Sequence, residues 1–368
     1  MKNKHVVIDA RIINSSTGTY VERLLTYLQQ LDKVNRYSVI VPVKDKKYWR
    51  PTNPNFKIVT ADIPNYSFKE QWDLSKLLRS LQPDLVHFMM PQQPVLYRGK
   101  KVTTFHDLTL LKSFAFSDKN RAMFRFKQTI GRFVFKAASK SNSKIIVPSE
   151  YTRSDMIRTL GTDPNKIVVT YEAADKVKSQ PVKYSQPYEH YILYVGNQSD
   201  YKNIKRLGDA HQVLLKKYPN LGLLLVGKLD KSAQINKDYF DQKKYKNIKF
   251  TGFVSNEERD WLYENAQAYV FPSLSEGFGL PGLEAMNYGT PVISSDATCL
   301  PEIYGHAAHY FNPTSVSDMA RAINEVLSDK KLQRRLVTIG SEQVSKYSWK
   351  KTAKETLAVY NEVLQSKK

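Results

Sequence analysis

Short apolar runs rich in valine and isoleucine alternate with longer helix-patterned segments along the whole chain, and this alternation restricts the fold more than any other feature. In the first half the runs are Val6–Ile12, Tyr37–Val43, Lys57–Ile63, Asp84–Phe88, Val102–His106, Lys144–Val147 and Lys166–Tyr171. In the second they are Tyr191–Gly196, Leu221–Gly227, Asn247–Phe253, Ala268–Phe271, Pro291–Ser294 and His309–Phe311. Nearly continuous apolar runs mark strands covered on both faces, as in parallel sheets. Interleaved helices make each half an open α/β sheet. Tyr20, Leu24, Leu25, Leu28 and Leu31 recur at helical spacing after the first run, as a crossover helix requires. The polar stretch Asp175–Pro187, with Pro181 and Pro187, reads as a linker between two such sheets. Sheets of this kind bind ligands at the C-terminal ends of their strands.

At 368 residues the chain suits two domains. Its net charge of +21 biases partners toward anions: nucleotide phosphates, anionic lipids, acidic glycans or nucleic acid. One cysteine, Cys299, excludes an internal disulfide framework and suits a reducing compartment. Met1–His5 leads directly into a strand pattern, and no run is long enough to span a bilayer, so a cytoplasmic location is expected, with contact at the inner face of the plasma membrane still open.

The richest stretch is residues 276–289. Glu276 and Glu284 bracket a loop whose glycines, Gly277 and Gly279, allow close approach of a ligand to the backbone. Pro281 fits the first helical position, which places Leu280 at the N-cap. Leucine cannot satisfy first-turn amides, so those of Gly282, Leu283 and Glu284 are expected to face an outside acceptor. Phosphate suits that place and the carboxylates suit sugar or ribose hydroxyls; a sugar nucleotide carries both. A carboxylate in a first helical turn also complements the helix dipole without any ligand. After Tyr191–Gly196, the loop Asn197–Asn203 delivers Lys202 ahead of a helix beginning near Ile204, where a lysine can neutralise a diphosphate. A solvated surface lysine is the plainer alternative.

Tyr191–Gly196 with Lys202-Asn203, Leu223–Gly227, Asn247–Val254, Glu276–Glu284 and Gly289-Thr-Pro-Val-Ile293 stand in the order seen in GT-B glycosyltransferases. The chain resembles the retaining family 4 group, which includes bacterial polysaccharide mannosyl- and glucosyltransferases. Leu300-Pro-Glu302 with Gly305 and Ala307, Ile8-Asp-Ala-Arg11 with Gly18, and Thr104-Phe-His-Asp107 extend the resemblance over essentially the whole chain. It implies two Rossmann-like domains facing across a deep cleft, residues 1–178 and 188–345, with residues 346–368 packing back on the first. It further implies a retaining hexosyl transfer from a nucleotide sugar, GDP-mannose or a UDP-sugar, to a glycan or lipid-linked acceptor in cell-surface polysaccharide or glycolipid synthesis. No metal or other cofactor is required in that group.

Carried over by position, Glu284 holds the ribose hydroxyls and Glu276 lies near the donor sugar. The segment Gly277, Phe278, Gly279, Leu280, Pro281 and Gly282 touches donor phosphate or sugar oxygens. Lys202, followed by Asn203, stabilises the departing diphosphate, and Val254 presents backbone groups to the base. Gly18 lets the first loop approach the diphosphate, and His106 faces the sugar across the cleft. A front-face transfer needs no strong side-chain base, so His106 is assigned to sugar binding and transition-state support, with a structural hydrogen bond as the alternative. Glu276 then acts through its charge rather than as a covalent nucleophile. Hinges are expected near residues 180 and 345, with domain closure excluding water. Two departures stand out: Asn197-Gln-Ser-Asp-Tyr201 has no cation before Lys202, and Tyr171-Glu-Ala-Ala-Asp175 replaces an Asn-Gly turn. Lys205 and Arg206, which could compensate for the first, are expected on the following helix.

Residues 119–140 form a candidate basic amphipathic helix. Arg121, Arg125, Arg132 and Lys136 line one stripe, and Met123, Phe126, Ile130, Phe133, Val134 and Ala137 the opposite face. Phe124 and Phe135 are expected beside the basic stripe, which would suit an anionic membrane. Tyr48, Trp49, Tyr66, Phe68 and Trp72 include candidates for stacking on acceptor sugars. The competing functions are a nucleic-acid binder, for which no zinc, RNA-recognition or helix-turn-helix pattern is visible, a GT-B sugar-nucleotide epimerase or phosphorylase, and a catalytically weak nucleotide-sugar or glycan-binding protein.

Overall fold

The computed structural model describes residues 3–65, 67–112, 121–175 and 180–366, without the side chains of 121–127. The described chain divides into two compact units. One takes in the residues up to Lys112, Arg121–Glu172 and the stretch from Ser348; the other runs from Ala173 to Tyr347.

In the first unit β1 (His5–Asp9), β2 (Arg36–Val41), β3 (Phe56–Thr60), β4 (Leu85–Phe88), β5 (Lys101–Thr104), β6 (Lys144–Val147) and β7 (Ile167–Val169) form one sheet in the order 3-2-1-4-5-6-7. Every pairing is parallel. Helices α1 (Gly18–Leu31), α2 (Ser75–Leu81), α3 (Arg121–Ser141) and α4 (Glu150–Leu160) occupy the connections. The second sheet, also all parallel, is built from β8 (Tyr191–Val195), β9 (Gly222–Val226), β10 (Ile248–Gly252), β11 (Ala268–Phe271), β12 (Val292–Ser295) and β13 (Ala308–Phe311), in the order 10-9-8-11-12-13. Its helices are α5 (Ile204–Leu214), α6 (Lys231–Gln242), α7 (Asn256–Glu264), α8 (Leu280–Asn287), α9 (Leu300–Tyr304), α10 (Val316–Ser328) and α11 (Lys330–Ser345). Central strands such as β1 and β9 are buried throughout, while the edge strands β3 and β10 are half-covered, as two-sided burial of a parallel sheet requires.

Each apolar run of the sequence holds a strand, but several ladders stop short of the run. Val6–Ile12 is a strand only to Asp9, because Ile12 and Ile13 are buried in the loop beyond the ladder and extend the apolar signal past it.

The last helix, α12 (Trp349–Gln365), belongs to the first unit and packs on α1. Trp349 meets Tyr20 edge-on, with ring centroids 6.1 Å apart. Buried His87, on β4, links the Tyr360 hydroxyl at 2.5 Å to Thr104 Oγ1 at 2.9 Å, and Thr104 Oγ1 also meets the Tyr20 hydroxyl. Thr352 Oγ1 donates to the Tyr171 carbonyl.

Helix α3 reverses part of the expected pattern. Phe135 is 3% exposed and meets Phe105 edge-on at 5.5 Å, so it is core rather than a flank of the basic stripe. Phe133, at 66%, and Ile130 are exposed instead, next to exposed Arg132 and Lys136. The β5-side core sits under Phe135 and Ala138, which turns the Ile130–Phe133 face outward. Residues 119 and 120, and the side chains of Arg121, Met123, Phe124, Arg125 and Phe126, lie outside the described residues, as does Tyr66. Trp49 is buried near Phe56, whereas Tyr48, Phe68 and Trp72 are exposed.

Two buried histidines make the fold acid-sensitive. Burial pushes His87 down to about 3, with His106 adding to the effect, and His211, on α5, down to about 4 despite its bond to the Leu221 carbonyl. A lowered folded-state pKa means the unfolded chain binds the proton first. Stability is therefore fully present above 6.5 and is lost as pH falls toward the folded values. For His211 alone the loss between pH 7 and pH 5 is roughly 2 kcal/mol. Denaturant unfolding of His211→Gln at the two pH values should show that much less pH dependence than the parent chain.

Candidate active site

The second sheet assembles the site at the C-terminal ends of its strands. The loop after β8 closes in a short turn, Asp200–Lys202, and Asn203 then adopts a left-handed conformation (φ 61) that starts α5. This geometry turns Lys202 inward, where it is buried. Its Nζ lies 2.6 Å from Glu276 Oε1, in the loop after β11, and over the rings of Tyr201 and Phe271 at 5.1 and 5.3 Å. Burial alone would lower the lysine pKa; the Glu276 carboxylate, with Tyr194 and Tyr201, overrides it and holds the ammonium well above its ordinary value. Lys202 is thus a fixed cation at any physiological pH.

Glu276 is placed by Thr298, whose Oγ1 accepts its backbone N–H at 3.1 Å. Thr298 has φ 58, a conformation costly for a β-branched residue, so the β12–α9 loop holds strain where it supports the carboxylate. Nothing local in the sequence marks this threonine.

The start of α8 differs from expectation. The N-cap is Gly279 (φ 104), not Leu280, and Pro281 is second in the helix rather than first. The left-handed turn at Gly279 brings the chain into helix one residue early. The Gly282 N–H donates to the Gly279 carbonyl at 3.2 Å, and the Tyr304 hydroxyl donates to the same oxygen. By helical register the Leu283 and Glu284 amides have acceptors at Gly279 and Leu280. All three amides expected to face a ligand thus have acceptors within the cap and first turn of α8. A Cβ on Gly279 or Gly282 would fall 2.5 or 2.3 Å from Tyr304 Oη, so these glycines make room for that ring. Phe278 is buried edge-on to Tyr347, and its carbonyl accepts from Cys299; Gly277 connects it to Glu276.

Glu284 lies within the first turns of α8 and accepts from the Tyr263 hydroxyl at 3.2 Å. Burial raises its pKa, opposed by Arg259 and Tyr263. Asn203, expected to touch the ligand, spends its side-chain amide on the Pro272 and Pro313 carbonyls, while its Oδ1 accepts from Arg206. It is a structural bracket. Lys205 and Arg206 lie on α5, as expected. Val254 is buried behind Phe253, which is 90% exposed at the end of β10.

In the first unit His106 follows β5. Its Nε2 lies 3.0 Å from the Met89 carbonyl and its Nδ1 3.4 Å from Glu172 Oε1, with Tyr20 edge-on at 4.8 Å. Gly18 begins α1, and a Cβ there would fall 2.1 Å from the Ile13 carbonyl. The loop's own backbone is therefore enough to require glycine at 18. Asp9, Arg11 and Glu70 form a buried ion network, with Arg11 Nη2 at 2.7 and 2.8 Å from the two carboxylates. The sequence motif contained Asp9 and Arg11 but not Glu70, which lies 59 residues from Arg11. Among the described residues no group of three or more metal-ligating side chains gathers, and no helix is long and apolar enough to cross a membrane.

Residues 17–176 match the family model Glycosyltransferase Family 4 and residues 176–343 the model Glycosyl transferases group 1. O-antigen chain mannosyltransferase B of Escherichia coli is 30% identical over 71% of this chain and 70% of that protein. The chain belongs to the group 1 glycosyltransferases. This glycosyltransferase is also 31% identical over 62% of its length to the serotype-specific mannosyltransferase WbdA of Escherichia coli, of which the match spans only 29%. Its fold is that of sucrose-phosphate synthase from Thermosynechococcus elongatus, with a TM-score of 0.78, 19% identity and coverage of 98% of this chain and 99% of that one. The architecture is therefore GT-B, two Rossmann-like parallel sheets with flanking helices.

In this glycosyltransferase Asn203→Ala strands two buried carbonyls. Urea unfolding should show a loss of about 1–3 kcal/mol, which a purely ligand-contacting asparagine would not produce.

Proposed function

We propose that this glycosyltransferase moves a hexose, mannose in the first instance, from a nucleotide sugar to a growing glycan or lipid-linked acceptor, with retention of anomeric configuration and without a metal ion. The observation that carries the reading is the buried Lys202–Glu276 pair at the strand ends of the second unit. The names of the Escherichia coli relatives, both mannosyltransferases, support the sugar.

In the proposed reaction the bond between the anomeric carbon and the diphosphate oxygen breaks, and the diphosphate leaves with the electron pair. The acceptor hydroxyl attacks from the same face and its proton passes to the leaving phosphate oxygen. Lys202 meets the charge developing on the diphosphate; Glu276 stabilises the positive charge developing on the sugar ring. The pair is held ready because the ammonium keeps its charge despite burial. A fixed side-chain cation here supplies the charge a metal ion would otherwise bring. Glu284 takes the ribose hydroxyls, and the Leu280 amide a donor oxygen, at the positive end of α8. The main chain around Val254 takes the base.

Lys202→Ala should lower kcat roughly a hundredfold with a smaller change in donor KM, read by release of nucleoside diphosphate in the presence of acceptor. Chelation of divalent ions should leave the rate unchanged. Proton NMR of the product should show the anomeric configuration of the donor; an inverted product would overturn the retaining assignment.

We also propose that exposed Phe133 and Ile130, flanked by Arg132 and Lys136, rest on an anionic lipid surface. Sedimentation with vesicles containing phosphatidylglycerol should fall for Phe133→Ser and with rising salt. Equal binding to neutral vesicles would count against it.

A further inference from the structure

The first unit holds a cavity of about 380 Å³ that the transfer chemistry does not use. Its walls are the loops that leave β1, β2 and β3, so it lies at the ligand-binding end of three adjacent parallel strands. The groups that line it are polar and mixed: the amides of Asn14 and Asn65, the hydroxyl of Ser15, the Lys44 ammonium, and the carboxylates of Asp45 and Asp62. The floor is rigid. Arg11 is locked by Asp9, by Glu70 and by the Ile63 carbonyl, which ties the first loop to the third. Asp45 Oδ1 accepts from Asn14 and Asp62 Oδ1 from the Val43 N–H, which fixes both carboxylates while each keeps a second oxygen.

The charge of this cavity is the exception in a chain of +21: Asp45 and Asp62 face Lys44 and Arg11, and Arg11 is already matched by Asp9 and Glu70 behind it, so the two lining carboxylates have one unmatched cation, Lys44, between them. Such a lining disfavours phosphates and acidic glycans and offers acceptors and donors at short intervals, which matches the vicinal hydroxyls of a neutral sugar.

A second feature adjoins it. From the cavity wall at Pro64 the chain turns through Ser67, whose hydroxyl donates to the Pro64 carbonyl, into a helical segment with a widened turn at Glu70–Leu74. Widened turns of this kind favour functional sites. Glu70 and Leu74 face inward, Gln71 holds the Gln93 carbonyl and the Val95 N–H, and Phe68 and Trp72 are left 96% and 76% exposed one turn apart. Two bare aromatic rings so close together are rare on a soluble surface without a ligand. Their faces suit the C–H faces of pyranose rings.

We infer that this cavity and the Phe68–Trp72 platform bind a neutral oligosaccharide, so that the enzyme grips sugar units of the acceptor chain as well as the one that is extended. The inference rests on the glycosyltransferase reading for its occupant, and it places acceptor recognition on Asp45, Asp62, Phe68 and Trp72.

The test uses the full chain with mannopentaose as the probe. Trp49 and Trp349 are buried and Trp261 is half-buried, whereas Trp72 is exposed, so loss of the signal in Trp72→Phe assigns it to Trp72. Mannopentaose without donor should give a saturable change in tryptophan emission, and free mannose a much weaker one. Phe68→Ala and Asp62→Asn, neither in the core, should each weaken the affinity about tenfold and raise acceptor KM by a similar factor, with kcat and donor KM unchanged. No saturable change with the parent chain, or unchanged affinity and acceptor KM in both variants, overturns the inference even if transfer proceeds normally. If instead no acceptor supports turnover but mannopentaose binds and the variants lose it, the transfer reaction is wrong and the subsite stands.

Discussion

Parallel pairing is the constraint from which the rest follows. A parallel strand must return to its starting edge through a crossover, so every strand in a sheet delivers its C-terminal end to the same side. In the second unit that side receives Lys202 after β8, Glu276 after β11, and Thr298 after β12, three loops distant in sequence. In the first it receives the walls of the polar cavity and His106. No long-range design of loops is needed; the sheet gathers them.

The charged pair at that edge is held in an environment that would otherwise discharge it. Burial works against the Lys202 ammonium, and only the nearby carboxylate and phenol rings keep it ionised. The strained Thr298 backbone and the Tyr304 hydroxyl at the start of α8 follow the same pattern: groups near the charged pair are fixed by bonds to the main chain rather than left to adjust.

Strand positions were legible because continuous apolar runs survive any local detail, and the β6 and β11 runs match their ladders end to end. Lys202 and Glu276 stood out in the sequence because each follows such a run by a few residues, and the fold brings these two together. The helix start at 279 was not legible, since proline tolerates the second position as well as the first and the decisive contact, Tyr304, comes 25 residues later. The reason for glycine at 18 and 282 was likewise hidden: what fills the missing Cβ is a carbonyl in one case and a ring in the other. Helix α3 misled because its phenylalanines follow one another too closely for periodicity alone to choose which face is covered. Glu70 had no local signal at all; it is found only when the fold brings it to Arg11.

The return of α12 to the first unit has a consequence for how the protein is made. His87, Tyr20 and Thr104 are translated before the second unit, yet Tyr360 and Trp349, which cover them, are translated after it. The first sheet must therefore wait, with a polar cluster and an aromatic face still wet, until the whole second unit and α12 after it have been translated. Although its sheet precedes the second in the message, this unit reaches its finished form only after the second has been made.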